Sequence, residues 1–315
     1  MLTPLFSVVI PVYNRAATLE GALRSVVAQT CQDFEIVVVD DGSTDDPAVT
    51  VRTVGDDRIR LIRQENRGGG AARNRGIDEA RGKYVALLDS DDRFQPQHLA
   101  TMRNLLDGQS NILGYAPVIA DRGRGRRVLK PLRCIAPREH MASYLLCDRG
   151  FIPTMTMVVD TPLAQKVRFA ENLRSAEDTD FAIRLYLGGC RFVMAEKPGA
   201  VWRDGHDKSR SSASGRDNLP MIDWIESLRF RIPNRAYYGC YGWAIAKSVA
   251  VTSLPRALRL YAIAVSRGCY RPSVAAIVFM QIFLPDSAYR WISDTAIACF
   301  GRFWDARRPP ISAHP

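Results

Sequence analysis

The strongest constraint on this chain is the alternation of its first hundred residues between strand-like and helix-like patterns. The stretches "FSVVIPV", "FEIVVVD", "IRLIRQ" and "YVALLD" are short apolar runs, separated by segments with helical spacing. In "AATLEGALRSVVAQT", Leu19, Leu23, Val26 and Val27 fall on one helical face. Runs as continuously apolar as "IVVVD" suit strands buried on both faces. Their alternation with helices implies βαβ units and a mostly parallel sheet, so the fold class is α/β. Ligands of such sheets sit beyond the carboxyl ends of the strands. Acidic clusters occupy two of those ends: "VVVDDGSTDD" after the second strand and "LLDSDD" after the fourth.

In "LLDSDD", Asp89, Asp91 and Asp92 lie within four positions. Left to themselves they would repel one another and raise their own pKa values. A cation or a strong donor is therefore expected beside them. Three arrangements meet that demand: a helix start, an Asp-nucleophile phosphatase, or a divalent cation bridging carboxylates and a diphosphate. A calcium loop is excluded, because Arg93 stands where that loop has its third acid. Asp40 and Asp41 can close a tight turn, or accept hydrogen bonds from a ligand's imide or hydroxyl groups. The stretch "NRGGGAARNRG" places glycines and Arg67, Arg73 and Arg75 at a helix start, which suits phosphate. It lacks the Gly-Lys-Ser/Thr ending of a Walker A loop.

Composition adds a sign to the partner. The chain has 315 residues, 47% hydrophobic and 24% charged, which is globular material for one large domain or two ordinary ones. Its net charge of +10 favours an acidic partner: nucleic acid, anionic lipid or a phosphorylated small molecule. No nucleic-acid-binding module is recognisable, so nucleic acid is not expected. The seven cysteines are odd in number and no pair has zinc or redox spacing, which predicts reduced thiols of a cytosolic compartment. The N-terminus lacks a basic n-region and a cleavage site, so no signal peptide is expected. The longest apolar run, "SVAAIVFMQIF", lies between Pro272 and Pro285 and is too short to span a bilayer.

Further along, helices are expected in "PQHLATMRNLLDG" and in "SAEDTDFAIRLYLGG", the latter with Phe181, Leu185 and Tyr186 inward. Strands are expected in "SNILGYAPVIAD" and "FIPTMTMVVD", a hairpin tip or loop at "RGRGRR", and two short strands with a polar loop in "RFVMAEKPGAVWRDGHDKSRSS". From Gly215 onward the chain turns helical, Pro-broken, basic and poor in acids. Near its end Ile292, Ala296, Phe300 and Trp304 form a stripe, with Arg290, Arg302, Arg307 and Arg308 to flank it. Such a segment is either a packed helical extension or an interfacial helix meeting anionic lipid.

Read in order, "SVVIPVYNRAATLEGALRSVVAQT", "EIVVVDDGSTD", "NRGGGAARNRGI", "YVALLDSDD" and "AEDTDFAIRL" resemble the family 2 glycosyltransferases, inverting enzymes with the GT-A fold, over about the first 210 residues. The likeness is to bacterial exopolysaccharide or succinoglycan-type sugar transferases. It implies a catalytic domain over 1–215, with a nucleotide-sugar-binding half (1–96) and an acceptor half (97–215); the basic, aromatic-containing helical extension over 216–315 lies beyond the resemblance and is read from its pattern. It also implies roles for particular residues. Pro11, Val12 and Tyr13 pack on the uracil ring, Asp41 reads its imide with Asp40 alongside, and Arg73 closes on the nucleotide. Asp89 and Asp91 form the family's Asp-x-Asp motif; Asp91 is the direct ligand of Mn²⁺ or Mg²⁺, and Asp89 contacts ribose or metal. Asp92 orients that loop. Asp178 takes the position of the general base, with Glu177 as the fallback, and His206 lies near the diphosphate or metal. Thr179 departs from the family, which often has an aromatic residue there, and this leaves the acceptor contact undefined. The implied reaction takes a hexose, glucose first and galactose close behind it, from a UDP-sugar to a polyprenyl-diphosphate-linked oligosaccharide or another glycan acceptor. The implied place is the inner face of the cytoplasmic membrane, held peripherally against an anionic surface.

Overall fold

The computed structural model describes residues 3–123, 126–173, 175–204 and 219–304, with side chains of the last segment described over 220–295. The N-terminal alternation folds as read: β1 (Phe6–Val12), α1 (Ala16–Val27), β2 (Phe34–Asp40), α2 (Pro47–Val54), β3 (Ile59–Arg63), α3 (Gly69–Glu79) and β4 (Tyr84–Leu87). Every residue of β2 is buried, as a strand covered on both faces requires. Then come β5 (Arg93–Phe94), α4 (His98–Leu106), β6 (Ile112–Tyr115), β7 (Val118–Asp121), β8 (Arg127–Lys130) and α5 (Met141–Leu146). They are followed by β9 (Val158–Asp160), α6 (Thr161–Val167), α7 (Glu177–Leu187), β10 (Arg191–Met194) and β11 (Ala200–Arg203).

The main sheet has seven strands in the order β10-β6-β9-β4-β1-β2-β3. Its pairings are parallel except at β9, which runs antiparallel to both β4 and β6. Register between β1 and β2 pairs Val12 with Asp40, so both strands end at the same edge. A second sheet, β5-β11-β7-β8, holds the hairpin whose tip "RGRGRR" was expected, with Asp121 opposite Arg127.

Two strand expectations are corrected. "SNILGYAPVIAD" is not one strand but β6 and β7, which belong to different sheets. Pro117 has no N–H to continue a ladder, and the chain changes sheets there. In "FIPTMTMVVD" only β9 is strand, preceded by a 3-10 turn over Thr154–Thr156. The Thr156 hydroxyl donates to the Ala116 carbonyl (2.8 Å) and accepts from the Ala116 amide (3.2 Å), replacing ladder bonds with side-chain ones. In α7, Phe181 and Leu185 are buried as expected, while Ile183 rather than Tyr186 completes the inward face.

The chain forms two compact units, Met1–Leu132 with Ile152–Gly205, and Arg133–Phe151 with His206–Pro315. The second unit therefore takes in a segment that the sequence reading placed in the acceptor half. It contains α5, α8 (Leu219–Ser227), α9 (Asn234–Cys240), α10 (Ala246–Val249), α11 (Leu254–Ser266), α12 (Pro272–Phe283) and α13 (Asp286–Trp304), with a π-helical turn over Tyr241–Ile245 joining α9 to α10. Arg235 reaches back to Asp148 with two parallel hydrogen bonds of 2.8 Å, tying the inserted segment to α9. Of the six described cysteines, five are buried, as expected. No helix among the described residues is long and apolar enough to cross a membrane.

Candidate active site

At the carboxyl edge of the parallel strands, backbone geometry assembles three loops. The Asp41 amide donates to the Val12 carbonyl (2.9 Å), which joins the loops after β1 and β2. Asn14 sits in the left-handed region (φ 51°), a conformation that asparagine tolerates, and its side-chain oxygen accepts from the Thr44 amide at 2.8 Å. Tyr13 is thereby left half exposed beyond the strand end, while Val12 is buried and Pro11 is half-buried.

The two acids after β2 divide the work. Asp40 accepts from the Ser43 amide (2.8 Å) and closes the turn. Asp41 is buried and accepts from Gln64 Nε2 (2.8 Å) and from the amides of Arg67 (2.9 Å) and Gly68 (2.8 Å). It therefore anchors the loop that leads into α3. The glycines of that loop have packing duties. Gly68, at φ +90°, precedes the first turn of α3, and a Cβ on Gly70 would lie 2.8 Å from the Ala170 carbonyl oxygen.

Arg73 is the centre of the site. It projects from α3 with a side chain only 10% exposed, donating to Asp89 (2.7 Å) and to Glu177 (3.3 Å). Its guanidinium carbon stands 5.5 Å from the Phe169 ring centroid, and Phe169 stacks on Phe181 of α7. Burial disfavours the charge on Arg73, but Asp89 and Glu177 outweigh it and hold the guanidinium more firmly protonated than usual. Its Nε is buried with no hydrogen-bond partner among the described residues, a donor left within the site. Asn74, the next residue, fixes the segment before α7: it donates to the Phe169 carbonyl (3.0 Å) and to Glu171 (2.9 Å), and accepts from the Phe169 amide (2.7 Å).

Glu177 and Asp178 open α7, preceded by Ala176 in the left-handed region at φ 65°. Such a conformation is costly for a residue with a Cβ and is typical of functional turns. Asp178 accepts from the Thr179 amide (2.6 Å) and from the Thr154 hydroxyl (3.3 Å). Burial first, and then the neighbouring Glu177 charge, push its carboxyl above the usual range, although Thr179, Arg73 and Thr154 act the other way. A carboxylate so shifted moves toward the proton affinity that a base needs near neutral pH.

The other acids of "LLDSDD" are accounted for one by one. Asp91 pairs with Arg15, a residue that sequence reasoning passed over, although it sits inside the "PVYNR" stretch. Asp92 is buried and accepts from the Arg203 amide (2.9 Å), which links the turn to the end of β11 and agrees with an orienting role. Asp89, Asp91, Arg15, Arg73, Glu177 and Asp178 are thus joined by direct pairs or chain adjacency. His206 lies outside the described residues.

The donor chemistry suits a hard divalent cation: Asp89 and Asp91 supply carboxylate oxygens at one turn, and Mg²⁺-type sites use one or two carboxylates completed by substrate phosphates. No group of three His, Cys, Asp or Glu side chains among the described residues forms a metal site without a substrate. In the structure the two carboxylates are held by arginines instead.

Comparison with known proteins bears on the family and the fold. Residues 7–167 match the model of "Glycosyl transferase family 2". The amylovoran biosynthesis glycosyltransferase AmsB of Erwinia amylovora is 32% identical over 247 residues, covering 74% of this chain and 80% of that one. The succinoglycan biosynthesis protein ExoO of Rhizobium meliloti is 40% identical over 215 residues, 62% of this chain and 59% of its own. Among solved structures, S. aureus TarS 1–349 in complex with UDP-GlcNAc superposes with a TM-score of 0.64 at 19% identity, covering 96% of this chain and 93% of that one. The mannosyltransferase PcManGT of Pyrobaculum calidifontis, in complex with GDP-Man and Mn²⁺, gives 0.57 at 18% identity, over 97% and 89% of the two chains. Those structural likenesses show the GT-A fold, and the family match together with AmsB shows the lineage: this chain belongs to glycosyl transferase family 2.

Proposed function

We propose that the protein is an inverting hexosyltransferase of bacterial exopolysaccharide synthesis, acting from a UDP-sugar, UDP-glucose by preference, onto a lipid-linked oligosaccharide at the inner face of the cytoplasmic membrane. The observation that carries the reading is the convergence of Asp89 and Glu177 on one buried arginine, Arg73, with the pKa-raised Asp178 next in the chain. The names of AmsB and ExoO support the pathway class, and the UDP-GlcNAc bound by TarS supports the donor class. Family membership takes away the ground for an Asp89-nucleophile phosphatase, and the presence of every expected acid in the described site argues against a non-catalytic scaffold.

On this reading the acceptor hydroxyl attacks the anomeric carbon from the face opposite the diphosphate. The new C–O bond forms as the bond to the diphosphate breaks, UDP leaves with the electron pair, and the hydroxyl proton passes to Asp178. Inversion follows from the single displacement. Asp89 and Asp91 would hold Mn²⁺ or Mg²⁺, whose chemistry there is to neutralise charge on the leaving diphosphate. Pro11, Val12 and Tyr13 line the uracil side, and Asp41 faces the base while anchoring its loop. Arg73 holds the nucleotide end of the site to the start of α7.

Calorimetric titration with UDP and UDP-sugars, with and without Mn²⁺, tests the reading. Metal-dependent UDP binding that Asp91→Ala abolishes is the expected result. Absence of UDP binding under every metal condition removes the proposal.

A further inference from the structure

Helices α11 and α12 present a continuous apolar face to solvent. Leu254, Leu258 and Val265 of α11 are 59%, 50% and 40% exposed, and their spacing of four and seven residues puts them on one stripe. Tyr261 falls on the same stripe, and its ring meets those of Phe279 (5.6 Å) and Phe283 (6.1 Å) on α12. Phe279 is itself 42% exposed, so the face runs across both helices. On this side Tyr261 packs against α12, its hydroxyl donating to the Ala275 carbonyl (3.0 Å), while Leu254, Leu258 and Val265 stay exposed. On α11 the buried residues are Ala257 and Ala264, and on α12 they are Val278 and Ile282.

The charge along this stretch of the sequence has one sign. From Ser227 to Pro285 the sequence contains no Asp or Glu, against eight Arg and Lys. Arg256 and Arg259 of α11 are exposed.

We infer that the α11–α12 face docks on an anionic lipid surface, its apolar side chains entering the headgroup–acyl boundary and its arginines meeting the headgroups. A second copy of the chain is the weaker fit. A two-fold contact would set the same strongly basic surface against itself. The inference rests on the proposed membrane location only for its purpose, bringing the site to a lipid-linked acceptor. The surface it names lies upstream of the α13 stripe expected from sequence.

The test is flotation of the full chain with phosphatidylcholine vesicles, with and without phosphatidylglycerol, for the wild type, the double variant Leu254→Glu/Leu258→Glu and the double variant Arg256→Glu/Arg259→Glu. These positions are exposed, so the fold should survive; circular dichroism and UDP–Mn²⁺ calorimetry check that independently. The wild type should float with the anionic vesicles only, and each double variant should bind them at least about tenfold more weakly with UDP binding unchanged. Equal flotation of the wild type and the leucine variant, or no flotation at all, overturns the inference. So does a wild-type dimer in light scattering that the leucine variant splits, which would make the face a protein interface. Loss of UDP binding in the wild type instead strikes the proposed reaction and leaves vesicle docking standing.

Discussion

Asp178, the proposed base, carries a cost in stability. Its carboxyl is shielded at the start of α7, beside the Glu177 charge, and its pKa is raised above the ordinary 3.8. A folded-state pKa above the unfolded one means that Asp178 favours folding at low pH, and that this contribution is lost as pH rises through the raised value. Asp178→Asn removes that loss. At pH 7 the variant should melt at a higher temperature than the wild type, the gap closing as pH falls toward 3.8 and below. Sugar transfer should drop by roughly 10²–10⁴-fold while UDP binding persists. A lower melting temperature at pH 7 would mean that the hydrogen bonds from Thr154 and Thr179 outweigh desolvation. Wild-type transfer would move the base assignment elsewhere. The acids at the strand ends were legible in the sequence because their type and place are local facts. Arg15 was not, since nothing in "PVYNR" says that its side chain meets Asp91, 76 positions on.

Among the elements, α3 has the strictest packing requirement. It carries Arg73 and Asn74 on its inner face, and it lies so close to β1 that a Cβ at Gly76 would stand 2.3 Å from Val9 Cγ1. Val9 is fully buried in a central strand and has no room to yield. Gly76→Ala should therefore cost about 1–3 kcal/mol, and at roughly 2–4 °C per kcal/mol the loss is visible in a melting curve. UDP affinity should fall with it, because the substitution lifts the helix that aims Arg73. An unchanged melting temperature would show that α3 can shift without loss. The sequence displayed these glycines but not their reason: "GGGAARNRG" looks like a phosphate loop, whereas close approach to Ala170 and Val9 is what Gly70 and Gly76 answer.

At the scale of the molecule, the discontinuous second unit bears on any attempt to isolate a catalytic fragment. Every residue of α5 is buried, and Asp148 just after it has a side chain only 5% exposed, paired with Arg235. A chain ended at residue 215 loses α9 and leaves that carboxylate without its partner. Removing α9 also uncovers α5, whose apolar side chains then lose their burial. The 1–215 fragment should melt well below the full chain and be cut by protease first within 133–151. Equal stability of fragment and full chain would show that 133–151 folds without the C-terminal helices. The break in composition near Gly215 was visible in the sequence, but the return of 133–151 to the later helices was not. Long-range pairing of that kind leaves no periodic trace.

The sequence by itself determined the α/β class, the mostly parallel character of the sheet, the family, and the residue types that meet at the strand ends. All of these follow from periodicity and from motifs read within short windows. Tertiary structure decided which charge meets which: Arg73 with Asp89 and Glu177, Arg15 with Asp91, and Arg235 with Asp148. It also decided that Asp41 anchors a loop, that one expected strand divides between two sheets at Pro117, and which helical face stays open to solvent. The physical reason is the same in each case. Burial and pairing are properties of groups brought together from distant parts of the chain, and the shift at Asp178 exists only once those groups have met.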